Sequence, residues 1–240
     1  MQDRKVAIIT GASSGIGRAT AEHLAQNGLK VALVARRADL LEDLAGGIGG
    51  NALALPADIT KRSELELAVQ KAKDRFGRVD VLVNNAGIMP LSFLEAGRVE
   101  EWERTIDVNL KGLLYGIHAV LGTMLAQGSG HVINVSSVGG QKVVAGGAVY
   151  CATKFAVRVI SEGLRQETVG KLRVTNISPG AVSSGLIDTI KDETMKAAFE
   201  PFKAIEISPD RIAEAVYYAI SQPPDTSISE ITIRPTAQEL

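Results

Sequence analysis

Short apolar runs alternate along the chain with longer segments in which apolar residues recur every three or four positions. The short runs are apolar at nearly every residue, which is typical of strands covered on both faces of a parallel sheet. The longer segments have the period of helices, and right-handed helical crossovers usually link parallel strands. The pattern therefore predicts an α/β fold, a doubly wound parallel seven-stranded sheet with helices on both faces. The predicted strands are Lys5–Thr10, Val31–Ala35, Ala52–Pro56, Val79–Val83, Gly130–Val135, Arg173–Ile177 and Ile228–Ile233.

No repeat, linker or low-complexity segment divides the 240 residues, so we expect a single domain over residues 1–240. Two long helices are predicted, Glu100–Ala126 and Val149–Val169. The segment 183–207 differs from the rest, because much of it is charged and Pro201 is expected to interrupt it. The next helix is expected to begin near Ser208–Pro209.

Composition narrows the class of protein. Lysine and arginine number 26 against 27 acidic residues, a net charge of -1, so the chain has no excess positive field for nucleic acid. The single cysteine, Cys151, excludes an internal disulfide and fits a reducing compartment. We expect no signal peptide and no apolar run of membrane-spanning length, and hence a cytoplasmic protein without a membrane partner. The three histidines lack metal-ligand spacing, and no metal is predicted.

A glycine-rich turn follows the first predicted strand and precedes a helical segment. It contains Gly11, Gly15 and Gly17 in the spacing Gly-x-x-x-Gly-x-Gly. Glycine permits positive φ and close backbone approach, and the free amides of a helix N-terminus attract a pyrophosphate. The alternative is an ordinary glycine-rich turn, but its position directly after the first strand favours phosphate binding.

Tyr150 and Lys154 are four residues apart in a helical segment, which places a phenol and an ammonium on one face. A nearby cation favours phenolate, so we expect Lys154 to lower the pKa of Tyr150 toward neutral pH, where it would act as an acid or base. The alternative is a half-buried aromatic residue beside a solvated lysine. The pair alone does not decide between them.

Together, the motifs resemble those of the short-chain dehydrogenase/reductase family over nearly the whole chain. This resemblance implies a Rossmann-like NAD(P)-binding domain in which segment 183–207 is a substrate lid. Near the end of the chain, Ile231–Gln238 stand where many members have a glycine-rich tail and resemble an NADP-preferring subgroup that acts on small carbonyls and 3-hydroxy acids. The matching motifs are Thr10–Gly17 for the cofactor loop, Asn84–Gly87, Ser178–Gly180 at the nicotinamide, and Asn109, Ser137, Tyr150 and Lys154 for the catalytic tetrad.

The resemblance implies a role for each tetrad residue. Tyr150 would give or take the substrate proton, and Ser137 would hold the substrate oxygen, although Ser136 competes for that role. Lys154 would lower the Tyr150 pKa and bind the nicotinamide ribose. Asn109 would hold a water that relays protons; the alternative is an Asn that satisfies backbone groups.

Two arginines indicate which cofactor is used. Arg36 and Arg37 follow the second strand, where an NAD enzyme places an acid on the ribose 2′-hydroxyl. Guanidinium groups bind a 2′-phosphate instead, so NADP(H) is expected and NAD(H) is less favoured, unless both are ordinary surface arginines. Asp58 would contact adenine or only cap a helix from Thr60. The full predicted cofactor set is Gly11, Ser13, Ser14, Gly15, Ile16, Gly17, Arg36, Arg37, Asp58, Ile59, Asn85, Ala86, Gly87, Tyr150, Lys154, Pro179, Gly180, Val182 and Ser184.

These expectations describe an NADP-dependent oxidoreductase that transfers hydride between the nicotinamide and a small carbonyl or alcohol. The alternative is a redox-sensing or regulatory protein that binds the nucleotide without turnover. Such a protein would have no need of Tyr150. The resemblance further implies a homo-oligomer, a homotetramer or a dimer, formed through the two long helices.

Overall fold

The computed structural model describes residues 5–239 and contains one all-parallel sheet of seven strands. The strands are β1 Val6–Thr10, β2 Lys30–Ala35, β3 Ala52–Pro56, β4 Val81–Asn84, β5 His131–Val135, β6 Arg173–Pro179 and β7 Glu230–Ile233. Their order across the sheet is β3-β2-β1-β4-β5-β6-β7, and the predicted fold class is confirmed. The strand order reverses between β1 and β4, which opens a crevice at the carboxyl ends of these strands.

Helices cover both faces of the sheet, and each face has its own core. One core packs the helices Arg62–Phe76, Gly112–Gln127 and Ala148–Glu167 on the sheet, and the other packs the helices Gly15–Gln26, Ala38–Ile48 and Asp210–Ser221. Strand β1 is apolar at nearly every residue because its successive side chains point into opposite cores. Ile8 belongs to the first core and Ile9 to the second. The helices are α1 Gly15–Gln26, α2 Ala38–Ile48, α3 Arg62–Phe76, α4 Val99–Ile106, α5 Gly112–Gln127, α6 Ala148–Glu167, α7 Glu193–Lys203 and α8 Asp210–Ser221.

Strand β6 is longer than the sequence predicted. It continues to Pro179 because it pairs with β7 as far as the partners Pro179 and Ile233. Strand β7, at the edge of the sheet, begins at Glu230 rather than Ile228. Because β6 is extended, its end at Pro179 lies at the crevice. The chain that follows β7 reaches the crevice as well, at Gln238.

A π-helical turn, Asp107–Lys111, divides the long helix predicted at 100–126 into α4 and α5. A π turn widens the helix by one residue and is frequent at functional sites. Asn109 lies in this turn and is buried.

The stretch Val99–Gln127 is long and apolar enough to span a membrane by length and composition, contrary to the sequence expectation. Its apolar residues Leu113, Val120 and Met124 instead lie in the core against the sheet.

The segment 183–207 is more regular than expected. Pro201 does not interrupt it but lies inside α7, which ends at Lys203. Asp192 caps the start of this helix, where its Oδ1 accepts from the Met195 amide at 3.0 Å. The proline occupies the last turn of α7, where little helix remains to be disrupted.

Candidate active site

A cleft of about 750 Å³ lies at the carboxyl edge of the sheet. It is lined by the loops that follow strands β1 to β6 and by part of the segment 183–207. Of the residues predicted for cofactor or catalysis, all line this cleft except Gly17 and Asn109. The lining residues among them are Gly11, Ser13, Ser14, Gly15, Ile16, Arg36, Arg37, Asp58, Ile59, Asn85, Ala86, Gly87, Ser137, Tyr150, Lys154, Pro179, Gly180, Val182 and Ser184.

The glycine-rich turn has the geometry that a phosphate needs. Gly11 and Gly15 have φ of 69° and 53°, a left-handed conformation that side chains disfavour. A Cβ on Gly17 would collide with the carbonyl oxygen of Gly11, so this buried glycine lets α1 approach the turn. The Ser14 side chain does not cap α1, which begins at Gly15. The turn thus presents the N-terminus of a helix to the cleft, and this cradle fits a pyrophosphate.

Arg37 lies over the same turn. Its Nη2 donates to the hydroxyls of Ser13 and Ser14, each at 2.9 Å. Arg36 and Arg37 both line the cleft and are exposed. The two guanidinium groups therefore place positive charge beside the phosphate cradle.

Asp58 forms a local turn, and the expectation that it might cap a helix from Thr60 is wrong. Its Oδ1 accepts from the Thr60 amide at 3.0 Å and from the Thr60 hydroxyl at 2.8 Å, while α3 begins only at Arg62. Burial raises the pKa of Asp58, but the Thr60 hydrogen bonds and the Arg36 charge outweigh it and hold that pKa below 3.8. The carboxylate is ionised at neutral pH.

Thr10 joins the ends of β1 and β4. Its Oγ1 accepts from the backbone amides of Asn85 and Ala86, at 3.0 and 3.1 Å. The Asn85 side chain returns a hydrogen bond to the Thr10 carbonyl at 2.9 Å. These bonds fix the loop after β4 against the glycine-rich turn, so the two motifs form one wall of the cleft.

Tyr150 and Lys154 lie on α6 and are both buried. The Lys154 ammonium donates to the Val135 carbonyl at 2.9 Å and lies 5.9 Å from the Tyr150 ring centroid. Burial lowers the pKa of Lys154 to about 8. Burial also raises the pKa of Tyr150 to about 12, which outweighs the lowering by its Ser137 hydrogen bond. Because desolvation dominates, the net shift is upward, and the expected Tyr150 pKa near neutral pH is wrong for this structure.

The two adjacent serines after β5 have different partners. Ser137 hydrogen-bonds the Tyr150 side chain, and its Oγ accepts from the Gly139 amide at 3.0 Å. Ser136 instead donates to the Lys154 carbonyl at 2.8 Å and is buried. The hydroxyl that is available beside Tyr150 is thus that of Ser137.

Asn109 lies behind the cleft wall rather than on it. Its Oδ1 accepts from the Ile88 amide and its Nδ2 donates to the Ile88 carbonyl, both at 2.9 Å. The Nδ2 also donates to the Thr153 hydroxyl at 3.2 Å. The side chain therefore satisfies backbone groups, as in the alternative interpretation, and it braces α6 between Tyr150 and Lys154.

The cleft has an apolar half beside Tyr150. Residues from the segment 183–207 pack there with the loop after β4, which joins two parts of the chain that are far apart in sequence. The apolar cluster consists of Met89, Leu91, Tyr150, Cys151, Ile187, Ile190 and Met195, with Val144, Leu186, Phe199 and Phe202 packed against it.

Within residues 5–239, no group of three or more His, Cys, Asp or Glu side chains could hold a metal.

Residues 5–194 match the protein-family model described as short chain dehydrogenase. An uncharacterized oxidoreductase of Staphylococcus saprophyticus is 50% identical over 240 residues, which is 98% of each chain. Among solved structures, the closed form of serine dehydrogenase complexed with NADP+ has a TM-score of 0.92 at 33% identity, covering 98% of this chain and 96% of that one. The 3-ketoacyl-(acyl-carrier-protein) reductase of Brucella melitensis, complexed with NADH, has a TM-score of 0.87 at 32% identity and 97% coverage of each chain.

Gly17→Ala is expected to abolish dinucleotide binding, because its Cβ would push the Gly11 carbonyl out of place. The overpacking should also lower the free energy of unfolding by about 1–3 kcal/mol. The matched control is Gly46→Ala in α2, where a Cβ meets open space. That change should stabilise the protein by about 0.5–1 kcal/mol and leave binding unchanged. Calorimetric titration with dinucleotide and urea unfolding measure both effects, and a Gly17→Ala protein that binds normally would contradict the assignment of the cradle.

Proposed function

The chain belongs to the short-chain dehydrogenase family, and we propose that this oxidoreductase uses NADP(H) to reduce a small carbonyl or oxidise the matching alcohol, with Tyr150 as general acid or base. One observation carries the proposal: the Ser137–Tyr150 pair and the Lys154 ammonium lie in the same cleft as the glycine cradle. A phosphate site alone would serve any nucleotide-binding protein. The buried phenol beside it adds a group that can donate a proton to a bound substrate.

The cradle and the loops after β4 and β6 would hold the dinucleotide, with its pyrophosphate at the start of α1 and its nicotinamide near Pro179 and Gly180. When bound, the cofactor supplies or accepts hydride at the nicotinamide. The residues of this chain would manage the proton. Ser137 would orient the substrate oxygen, and Tyr150, with a pKa of about 12, is protonated at neutral pH and can donate. This state suits carbonyl reduction.

Lys154 would supply positive charge beside the phenolate that forms when Tyr150 donates. Its ammonium would also reach the nicotinamide ribose, as the family resemblance implies. The side chain of Asn109 is engaged with Ile88 and Thr153, so we assign it the role of positioning α6.

The apolar half of the cleft supports a small carbonyl substrate, and the segment 183–207 would close over it as a lid. Lys142 also lines the cleft and brings a positive charge that suits the carboxylate of a 3-hydroxy acid. Serine, in the name of the NADP+-bound neighbour, is a small 3-hydroxy acid.

Association through α5 and α6 is part of the proposal, with a cytoplasmic homotetramer as the expected state. Apolar side chains that remain exposed on these helices support it: Leu114 is 42% exposed, Leu125 38%, Val159 72%.

Tyr150→Phe should reduce NADPH-dependent turnover by about 100-fold or more, because it removes the acid and leaves the ring in place. NADPH affinity should change little, since the phenol is not needed to hold phosphates. The measurement is the loss of reduced-nicotinamide absorbance with small aldehydes, ketones, diketones and 3-keto acids, beside a fluorescence titration of NADPH. Full turnover in the variant would refute the role of Tyr150. Tight NADPH binding without turnover of any substrate in the wild type would instead favour the regulatory alternative.

The double change Arg36→Ala and Arg37→Ala should weaken NADPH binding on the order of 100-fold while NADH binding changes by less than about threefold. The reason is that the guanidinium groups would contact the 2′-phosphate that NADH lacks. Arg62→Ala, a change to an exposed arginine at the start of α3, is the matched control. Equal losses of affinity for NADPH and NADH would contradict the proposed preference for NADP(H).

A further inference from the structure

The chain after β7 folds back over the cleft. It leaves the sheet at Ile233, passes the buried Pro235 and turns, with the Gln238 amide donating to the Pro235 carbonyl at 3.0 Å. This turn places the Gln238 side chain in the cleft lining. In sequence, this tail differs from the glycine-rich ending of many family members. None of its residues has a role in the proposed proton transfer.

Gln238 is bonded to the loop that follows β6. Its Oε1 accepts from the Ala181 amide at 2.9 Å. The neighbouring Gly180 amide donates to the Ile233 carbonyl at 2.7 Å, and a Cβ on Gly180 would collide with Gln238 Oε1. The absence of a side chain at Gly180 therefore leaves the space in which Gln238 reaches the Ala181 amide.

The same loop is held from its other side. The Ala181 carbonyl accepts from the Ile207 amide at 3.1 Å, and Val182 forms a bridge with Ile207. Ala181 thus has its amide bonded to the tail and its carbonyl bonded to the end of the segment 183–207. The loop Pro179–Val182 is thus held by β7 and the tail on one side and by Ile207 on the other.

The tail is also attached to the loop that carries Ser137. Arg234 Nη2 donates to Gln141 Oε1 at 3.1 Å, and Gln141 Nε2 donates to Thr232 Oγ1 at 2.7 Å. Gln141 ends the short 3₁₀ turn that begins directly after Ser137. One short C-terminal segment therefore contacts both the loop of the substrate-binding serine and the loop after β6.

We propose that Gln238 is a positioning residue for the nicotinamide end of the cofactor, acting by holding the Ala181 amide and with it the loop Pro179–Val182. The inference rests on the proposed function, in which this loop meets the nicotinamide. Without the Gln238 acceptor, the Ala181 amide loses its partner in the fold, and the loop is free to turn that amide toward water. The phosphate cradle at α1 is held by its own bonds, those from Arg37 to Ser13 and Ser14, so we expect the binding of phosphate groups there to be unchanged.

The test compares two ligands on two variants of equal size. Gln238→Met removes the acceptor and keeps the length, whereas Gln238→Glu keeps both. We expect Gln238→Met to weaken NADPH and NADH about tenfold, the loss of one hydrogen bond. Binding of 2′-phospho-ADP-ribose, which lacks the nicotinamide, should stay at the wild-type value. Gln238→Glu should restore dinucleotide affinity to within about threefold of wild type.

The matched control is Gln70→Met, a change on the exposed face of α3 that should alter no affinity. Equal weakening of both ligand classes by Gln238→Met would overturn the proposal, as would unchanged NADPH affinity or equal losses in the Met and Glu variants. A wild-type protein that binds neither NADPH nor NADH would refute the proposed function itself. Normal wild-type binding with an unchanged affinity in Gln238→Met would refute only the role of Gln238.

Discussion

The hydrogen bond from the buried Lys154 ammonium to the Val135 carbonyl ties α6 to the end of β5. Because β5 is a central strand, this bond sets the height and rotation of α6 relative to the carboxyl edge of the sheet. Tyr150 is one turn earlier on the same helix, so its hydroxyl comes to the loop of Ser137. The same burial that fixes the geometry also sets the proton chemistry, since it lowers the Lys154 pKa to about 8.

The rest of the fold brings phosphate binding to this pair. Parallel strands end at one edge, and the reversal of order at β1 and β4 opens the crevice there. Thr10 then joins the glycine cradle to the loop after β4 through two backbone amides. The cradle, Asn85 and the Tyr150 helix are thus positioned by hydrogen bonds to strand ends rather than by flexible loops. This rigidity is what hydride and proton transfer to one carbonyl would require.

The sequence predicted the parts of the site that depend on local spacing. The strand runs, the glycine turn and the Tyr150–Lys154 spacing all follow from short-range patterns, and the structure brings them to one cleft. What it missed depends on the completed fold. The direction of the Tyr150 pKa shift is set by burial between α6 and the segment 183–207, which spacing does not reveal. Gln238 reaches Ala181 only because β6 and β7 pair as far as Pro179.

The proposed contact of the tail concerns the nicotinamide end of the dinucleotide. One end of the dinucleotide would lie in a cradle built by β1 and α1, and the other on a loop that the C-terminal tail and the segment 183–207 hold from opposite sides. Closure of that segment and ordering of the nicotinamide loop would then occur together, since both involve Ala181 and Ile207.

In the proposed reaction, the charged, buried Lys154 supports proton donation by Tyr150 to a carbonyl. The most direct measurement is the single-turnover rate constant of NADPH oxidation between pH 6 and pH 10 with a carbonyl that the enzyme reduces. Tyr150 stays protonated across this range, so the rate constant should be level at low pH and fall as pH rises through about 8, where Lys154 loses its proton. Lys154→Met should be slow and lack this inflection. A wild-type rate constant that is unchanged up to pH 10 would contradict the account.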